Sequence, residues 1–467
     1  MVFKFLGGGQ SYIEEGHIGG QCQTGSVDHM MKDRIVNIGI IGLGTVGTGV
    51  ARVLLEQQAL LSARTTLTYR LKTISELNWE KDRGLDLTGV RCTSDVNELL
   101  DDPEINIVVE TIGGYEPAFT FICRALQSRK HVVTANKALI STRGAELFRI
   151  AQENNVDLLF EASVGGGIPI IKGLREGLVA NHIERIVGIL NGTCNYILTK
   201  MHQEGLGFAD ALAQAQAKGF AEANPTLDVS GMDTCHKLAI LGSIASNSLV
   251  PVDKIYVEGI TGITGEDIAF AKSFGFTVKL LAIYQSHKNG IDLRVHPALV
   301  GNDHMLASVN NELNAIFVKG DFVGNTMFYG PGAGERPTAS SIVGDIVDLS
   351  RDLLLQEGEK FCNRGISLSE QAHLIPTEDV LNRFYLRFLT KDETGVLSML
   401  SGVLAEHGIS ISSMVQMETQ EKDNCIPIVL LTHEASERAM AEALRKIATF
   451  DFVVGECLRM RIFDGGR

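Results

Sequence analysis

Residues 35–55, IVNIGIIGLGTVGTGVARVLL, hold the pattern from which the fold is read. Residues 35–41 are almost wholly β-branched and apolar, as a buried strand requires. Gly42-Leu43-Gly44-Thr45-Val46-Gly47 follows directly, and residues 46–55 carry a helical pattern. In such a strand, turn and helix the glycines permit a tight turn and close approach of backbone to a pyrophosphate. The N–H groups opening the helix add an anion site. Gly42, Leu43, Gly44, Thr45, Val46 and Gly47 are the expected dinucleotide contacts; the bland alternative is a plain glycine turn in a glycine-rich chain.

Outward from that turn, buried-strand patterns at 71–74, 107–110, 131–134 and 158–161 alternate with helical ones at 95–100, 117–128 and 144–153. This alternation predicts a Rossmann-type doubly wound parallel sheet over residues 32–164. From about residue 165 long Ala-rich helices precede strand patterns at 278–284, 291–297 and 315–318, which predicts an α+β substrate-binding and dimerisation domain over 165–334. Residues 328–334 read as a glycine-rich turn and 338–355 as a helix. After Pro376 the elements read β-α-β-β-α-β, a ferredoxin-like order, and residues 380–467 resemble an ACT domain, a module that binds amino acids in pairs. Residues 1–31 lack a sustained apolar run and are expected to be a disordered extension, with Met31 a possible alternative start.

Bulk properties narrow the function. The 467 residues suggest about three domains. A formal charge of −14 without a Lys/Arg cluster argues against a nucleic-acid surface, and no apolar run reaches membrane-helix length. Eight scattered cysteines without metal-ligand spacing fit the cytoplasm.

Ionisable groups gather in residues 215–237, AQAKGFAEANPTLDVSGMDTCHK, around the Pro225 turn and the Gly231 break. Ser230 and Asp233 have capping-box spacing, so Asp233 can be read as a helix cap, or as an ordinary ion pair with Lys237 four residues on. The helix beyond Lys237 is nearly all apolar, which places that lysine at the wet end of a buried helix and suits proton transfer. Glu222 and Asp228 flank the turn and can face one pocket, where they would hold an ammonium group.

This stretch resembles the signature of homoserine dehydrogenases, with Ala215, Gly219, Asn224-Pro225, Asp228, Gly231, Asp233 and Lys237 in register. The resemblance implies NAD(P)-dependent, reversible reduction of aspartate 4-semialdehyde to homoserine, on the route to threonine, methionine and isoleucine. With no kinase segment ahead of the nucleotide domain, the chain is expected to be monofunctional. The resemblance implies that Lys237 and Lys137, of the Asn136-Lys137 pair, are catalytic, with Asp233 orienting them. Glu222, Asp228 and Gly192 would then bind the substrate, and Thr111, Gly113, Lys137 and Gly334 the cofactor. It further implies a sodium site from Glu161 and the carbonyls of Val164, Gly166 and Ile168, although the glycines at 165–167 read by themselves as a hinge. A return helix at about 335–356 would rejoin the nucleotide domain. Effector binding, with threonine expected, would use Asp392 and Gly395, and the chain would be a homodimer or homotetramer. Ser75 and Glu76, after the second strand, favour NAD over NADP unless Lys72 or Arg83 folds back. Two other readings stay open: a Rossmann dehydrogenase for another amino-acid semialdehyde, and an ACT-based amino-acid sensor.

Overall fold

The computed structural model describes residues 35–353, 370–416, 425–463 and 465; the expected extension over 1–31 lies outside them. Six strands, β1 Ile35–Ile41, β2 Thr68–Ser75, β3 Arg91–Thr93, β4 Ile107–Glu110, β5 His131–Thr134 and β6 Leu158–Leu159, form a sheet in the order β3-β2-β1-β4-β5-β6. Every neighbouring pair is parallel. The order reverses between β1 and β4, so the chain parts there and leaves a crevice at the strands' carboxyl ends.

Helices cover both faces, which is why β4 and β5 are buried at every residue. They include α1 Thr45–Glu56, α2 Ala118–Gln127 and α3 Lys137–Glu153. Lys137, just past β5, is the first residue of α3. Asn136 ends the extended run because its side chain accepts the Leu139 N–H as an N-cap.

A second sheet is larger. It contains β7 Ile183–Ile189, β8 Tyr256–Val257, β9 Phe276–His287, β10 Gly290–Gly301, β11 Leu313–Gly320 and β12 Gly324–Pro331. Residues 328–331, expected in a turn, close β12 by pairing with β11. On one face of β9 and β10 pack α4 Gly192–Glu204, α5 Met232–Ser246 and α6 Gly265–Ser273. Helix α7, Glu335–Asp352, then crosses back to the nucleotide-binding sheet and lies on α1. The approach requires Gly49, because a Cβ there would stand 2.7 Å from the Glu335 carbonyl oxygen.

The C-terminal module has β13 Leu381–Lys391, α8 Val396–Glu406, β14 Ile411–Gln416, β15 Cys425–Thr432, β16 Ala435–Ser436, α9 Glu437–Ile447 and β17 Leu458–Phe463. Its four main strands run β17-β13-β15-β14, the ferredoxin-like order. They are not a separate sheet. β17 pairs in parallel with β10, Ala298 opposite Arg461 and Val300 opposite Phe463, so the module extends the second sheet. No described helix is long and apolar enough to cross a membrane.

Candidate active site

The crevice beside β1 is shaped by its glycines. Gly42 has φ +91°, and a Cβ on Gly47 would sit 2.1 Å from the Gly42 carbonyl oxygen, so only glycine lets α1 start this close to the turn. Gly44 and Thr45 are exposed, and a Cβ on Gly44 would meet nothing within 4 Å. That open space over a helix N-terminus suits a pyrophosphate. Val46 is half-buried, and Leu43 turns away into the core at 1% exposure, so it offers the crevice its backbone alone.

The Thr111 hydroxyl donates to the Gly42 carbonyl at 2.8 Å and holds the turn. Glu110 is fully buried. One of its oxygens accepts the N–H groups of Ile112 and Gly113, and the other accepts the Thr134 hydroxyl at 2.5 Å. Glu110 thus fixes the left-handed Gly113 turn that walls the crevice. The sequence marked only its neighbours, and a lone Glu closing an apolar strand was the available signal. Gly334, φ +115°, precedes α7 and hands the chain back to this domain.

At the end of β2 the Glu76 carboxylate accepts the Leu43 N–H at 2.5 Å. Arg83 folds back to donate to the Leu43 carbonyl at 2.6 Å, and it stands 3.7 Å from Glu76. Lys72 turns elsewhere, to Asp102 and Glu104. Burial would raise the Glu76 carboxyl, but N–H donors at Asn78 and Leu43, with Arg83, bring it below its ordinary value.

The charged cluster lies where α3 and α5 approach. Asp233 bridges two lysines: Lys137 Nζ is 3.1 Å from its Oδ1, and Lys237 Nζ donates to its Oδ2 at 2.7 Å. Lys237 also donates to the Leu190 carbonyl at 2.6 Å. Burial opposes the Asp233 charge, yet Lys237 and Lys137 overcome it and hold the carboxyl well below the usual range. Asp233 in turn raises Lys137 above its ordinary value, against burial. Lys137 therefore carries a proton at neutral pH, and its side chain stays 40% exposed.

Asp233 does not cap the helix. The N-cap is Gly231, left-handed at φ +86°, without a side-chain cap bond, and the Ser230 hydroxyl donates to Leu227. The positive φ releases Asp233 to face the lysines. Asn191 was missed as a site residue. Its Nδ2 donates to Asp228 at 2.7 Å and to Asp233 at 2.9 Å, while its Oδ1 accepts the Cys194 N–H and caps α4. An N-cap Asn looks the same in sequence whatever its amide faces. Gly192, which a Cβ would bring within 2.6 Å of the Glu312 carbonyl oxygen, seats that helix start. Burial, aided by Asp233, raises the Asp228 carboxyl despite the Asn191 bond. Glu222 is exposed at the rim and adds to the field on Lys137.

These features coincide with known families. The model described as the NAD-binding domain of homoserine dehydrogenase matches residues 42–161, that described as homoserine dehydrogenase matches 169–347, and the ACT domain model matches 384–449. A homoserine dehydrogenase of Pseudomonas aeruginosa is 41% identical over 91% of this chain and 98% of its own length, and one of Bacillus subtilis 39% identical over 90% and 96%. The chain belongs to the homoserine dehydrogenase family. It is an oxidoreductase acting on CH-OH groups. The solved homoserine dehydrogenase of Thiobacillus denitrificans superposes with a TM-score of 0.87 at 41% identity, covering 92% of this chain and 99% of that one. A hyperthermophilic archaeal homoserine dehydrogenase solved with NADPH has a TM-score of 0.58 at 28% identity and covers 68% of this chain and 98% of that one.

Among the remaining expected residues, Glu161 accepts the N–H groups of Ile171 and Lys172, and the Gly166 carbonyl accepts the Ser341 hydroxyl. Burial and the neighbouring Asp345 push the Glu161 carboxyl up to about 7. Lys172 stands 3.4 Å from Asp345, beside this buried acid pair. In the C-terminal module Gly395, left-handed at φ +92°, opens α8 beside exposed Asp392, with open space where its side chain would be.

Proposed function

We propose that the chain interconverts L-aspartate 4-semialdehyde and L-homoserine with a nicotinamide dinucleotide, in the cytoplasm, as a step toward threonine, methionine and isoleucine. The observation that carries this is Asp233 held between two lysine ammonium groups beside the dinucleotide crevice. The nicotinamide supplies or accepts the hydride at the substrate's C4. Lys237 gives the carbonyl oxygen its proton in reduction and takes it back in oxidation. Lys137 stabilises the negative charge developing on that oxygen, and Asp233 fixes both lysines in place. Asp228 and Glu222 hold the substrate ammonium, with Gly192 seating the adjoining loop. Oxygens of Glu161, Val164, Gly166 and Ile168 would hold Na+, which supplies charge neutralisation at the domain junction. A homodimer or homotetramer, with threonine bound near Asp392 and Gly395 as inhibitor, completes the reading.

Glu76 against the turn supports NAD, since a carboxylate accepts from ribose hydroxyls and repels a 2′-phosphate. Arg83 beside it leaves NADP usable. Homoserine oxidation followed by absorbance of the reduced nicotinamide, with NAD and NADP in parallel, tests both points. The expected result is turnover with a higher kcat/KM for NAD, and a shift toward NADP in Glu76→Gln. Turnover confined to homologues one methylene shorter or longer would sink the substrate assignment.

A further inference from the structure

One loop joins the C-terminal module to the start of the catalytic helix. Arg461, on β17, has a side chain 2% exposed. It binds Glu437 through two nitrogens, at 2.8 and 3.0 Å, and its third reaches the Glu258 carboxylate at 2.5 Å. Tyr256 lies under the guanidinium at 4.8 Å, and its hydroxyl donates to the same Glu258 oxygen at 2.8 Å. Glu258 therefore answers to the regulatory module through a charge-assisted bond whose Arg461 end is buried.

On its other side Glu258 belongs to the loop after β8, which packs against the residues that lead into α5. β8 pairs with β10, the Glu258 N–H donates to Val295, and the Ile260 N–H donates to the Val229 carbonyl at 2.9 Å. A Cβ on Gly259 would stand 2.2 Å from that carbonyl oxygen and 2.8 Å from the Ser230 Cα, so the two backbones lie in direct contact. A Cβ on Gly231 would stand 3.1 Å from the Val257 side chain and 3.2 Å from that of Val295. Asp228 and Asp233 stand on either side of this contact. Close-packed backbone transmits a displacement because it has no slack to absorb it.

We propose that Glu258 is a positioning residue: through Arg461 it lets the C-terminal module set the start of α5, and with it the substrate-facing carboxylates Asp228 and Asp233. The proposal rests on the substrate reading given above. A second tie between the modules, Arg387 on β13 to Asp267 at 2.6 Å, supplies the contrast, because Asp267 caps α6 at Thr264, the far end of this loop, and not the 258–260 stretch that meets Val229 and Ser230.

The test is steady-state kinetics of the full chain as wild type, Glu258→Gln, Glu258→Asp and Arg387→Gln. Glu258→Gln is expected to raise KM for homoserine by roughly 3- to 10-fold, the size of a charge-assisted bond partly transmitted, with KM for the nicotinamide cofactor unchanged. Glu258→Asp is expected to recover most of that loss, and Arg387→Gln to leave KM for homoserine as in wild type. An active wild type with an unmoved KM in Glu258→Gln overturns the proposal alone. So does an equal rise in Arg387→Gln, which would mean general loosening. A wild type without homoserine turnover overturns the functional reading itself.

Discussion

At the scale of single residues, two lysines share one aspartate. A proton donor must be charged before the step and able to lose its proton during it, so its carboxylate partner has to orient it without moving into reach of the substrate. In the proposed reaction Asp233 would do this from a buried position, fixed by Asn191 and freed from capping by the left-handed Gly231. Replacing Lys237 by Ala is expected to lower kcat by about 10²- to 10⁴-fold while cofactor affinity, read by fluorescence titration, stays the same. Asp228 leads to a pH dependence with a defined sign. Burial and Asp233 raise its carboxyl, so on acidification it takes up a proton, and in the proposed reaction would lose its hold on the substrate ammonium, at a higher pH than an ordinary aspartate of about 3.9. KM for homoserine should therefore rise earlier on the acid side than a solvated aspartate would predict, and Asp228→Asn should show a high KM with that acid limb gone. An acid limb that survives in Asp228→Asn would reject the assignment.

Between residues and domains, the elements show where local pattern succeeds and where it fails. The strand, turn and helix over residues 35–56 are legible because β-branched run, glycine spacing and helical period agree, and β1 and α1 form there. At the start of α5 the cap alternative for Asp233 does not form, and pattern could not tell, because a Ser-x-x-Asp spacing looks like a capping box whether or not the backbone turns left-handed before it. β9 carries a less visible feature. Lys279 is fully buried, donating to Asn195 and to the Val309 carbonyl, and burial pushes it down to about 7. Its folded value lies below the ordinary 10.5, so between those limits the unfolded chain holds a proton that the folded one lacks. Stability from this group must then rise with pH from about 7 to 10.5. Thermal melts across that range should show the rise in wild type and lose it in Lys279→Met; identical slopes would show that Lys279 stays charged when folded.

For the molecule as a whole, the decisive fact is that β10 and β17 pair and make two domains share a sheet. Removing residues 380–467 would leave β10 unpaired along 298–300 and Glu258 without Arg461, and unpaired edges recruit other chains. The truncated chain is expected to melt lower and to aggregate on light scattering, whereas a monodisperse product of unchanged melting temperature would show the module to be a loose appendage. The sequence by itself determined the parallel nucleotide-binding sheet, the βαββαβ module and the clustering of Glu222, Asp228, Asp233 and Lys237, because hydrophobic period, turn residues and close spacing act over short stretches of chain. Only the tertiary structure decided that Lys137 meets Asp233 across 96 positions, that Asn191 ties Asp228 to Asp233, that Glu110 braces the crevice, and that Arg461 reaches Glu258 across the module boundary. Those contacts join groups that no periodicity links. They come from the order in which strands pair and from which backbones only glycine allows to touch.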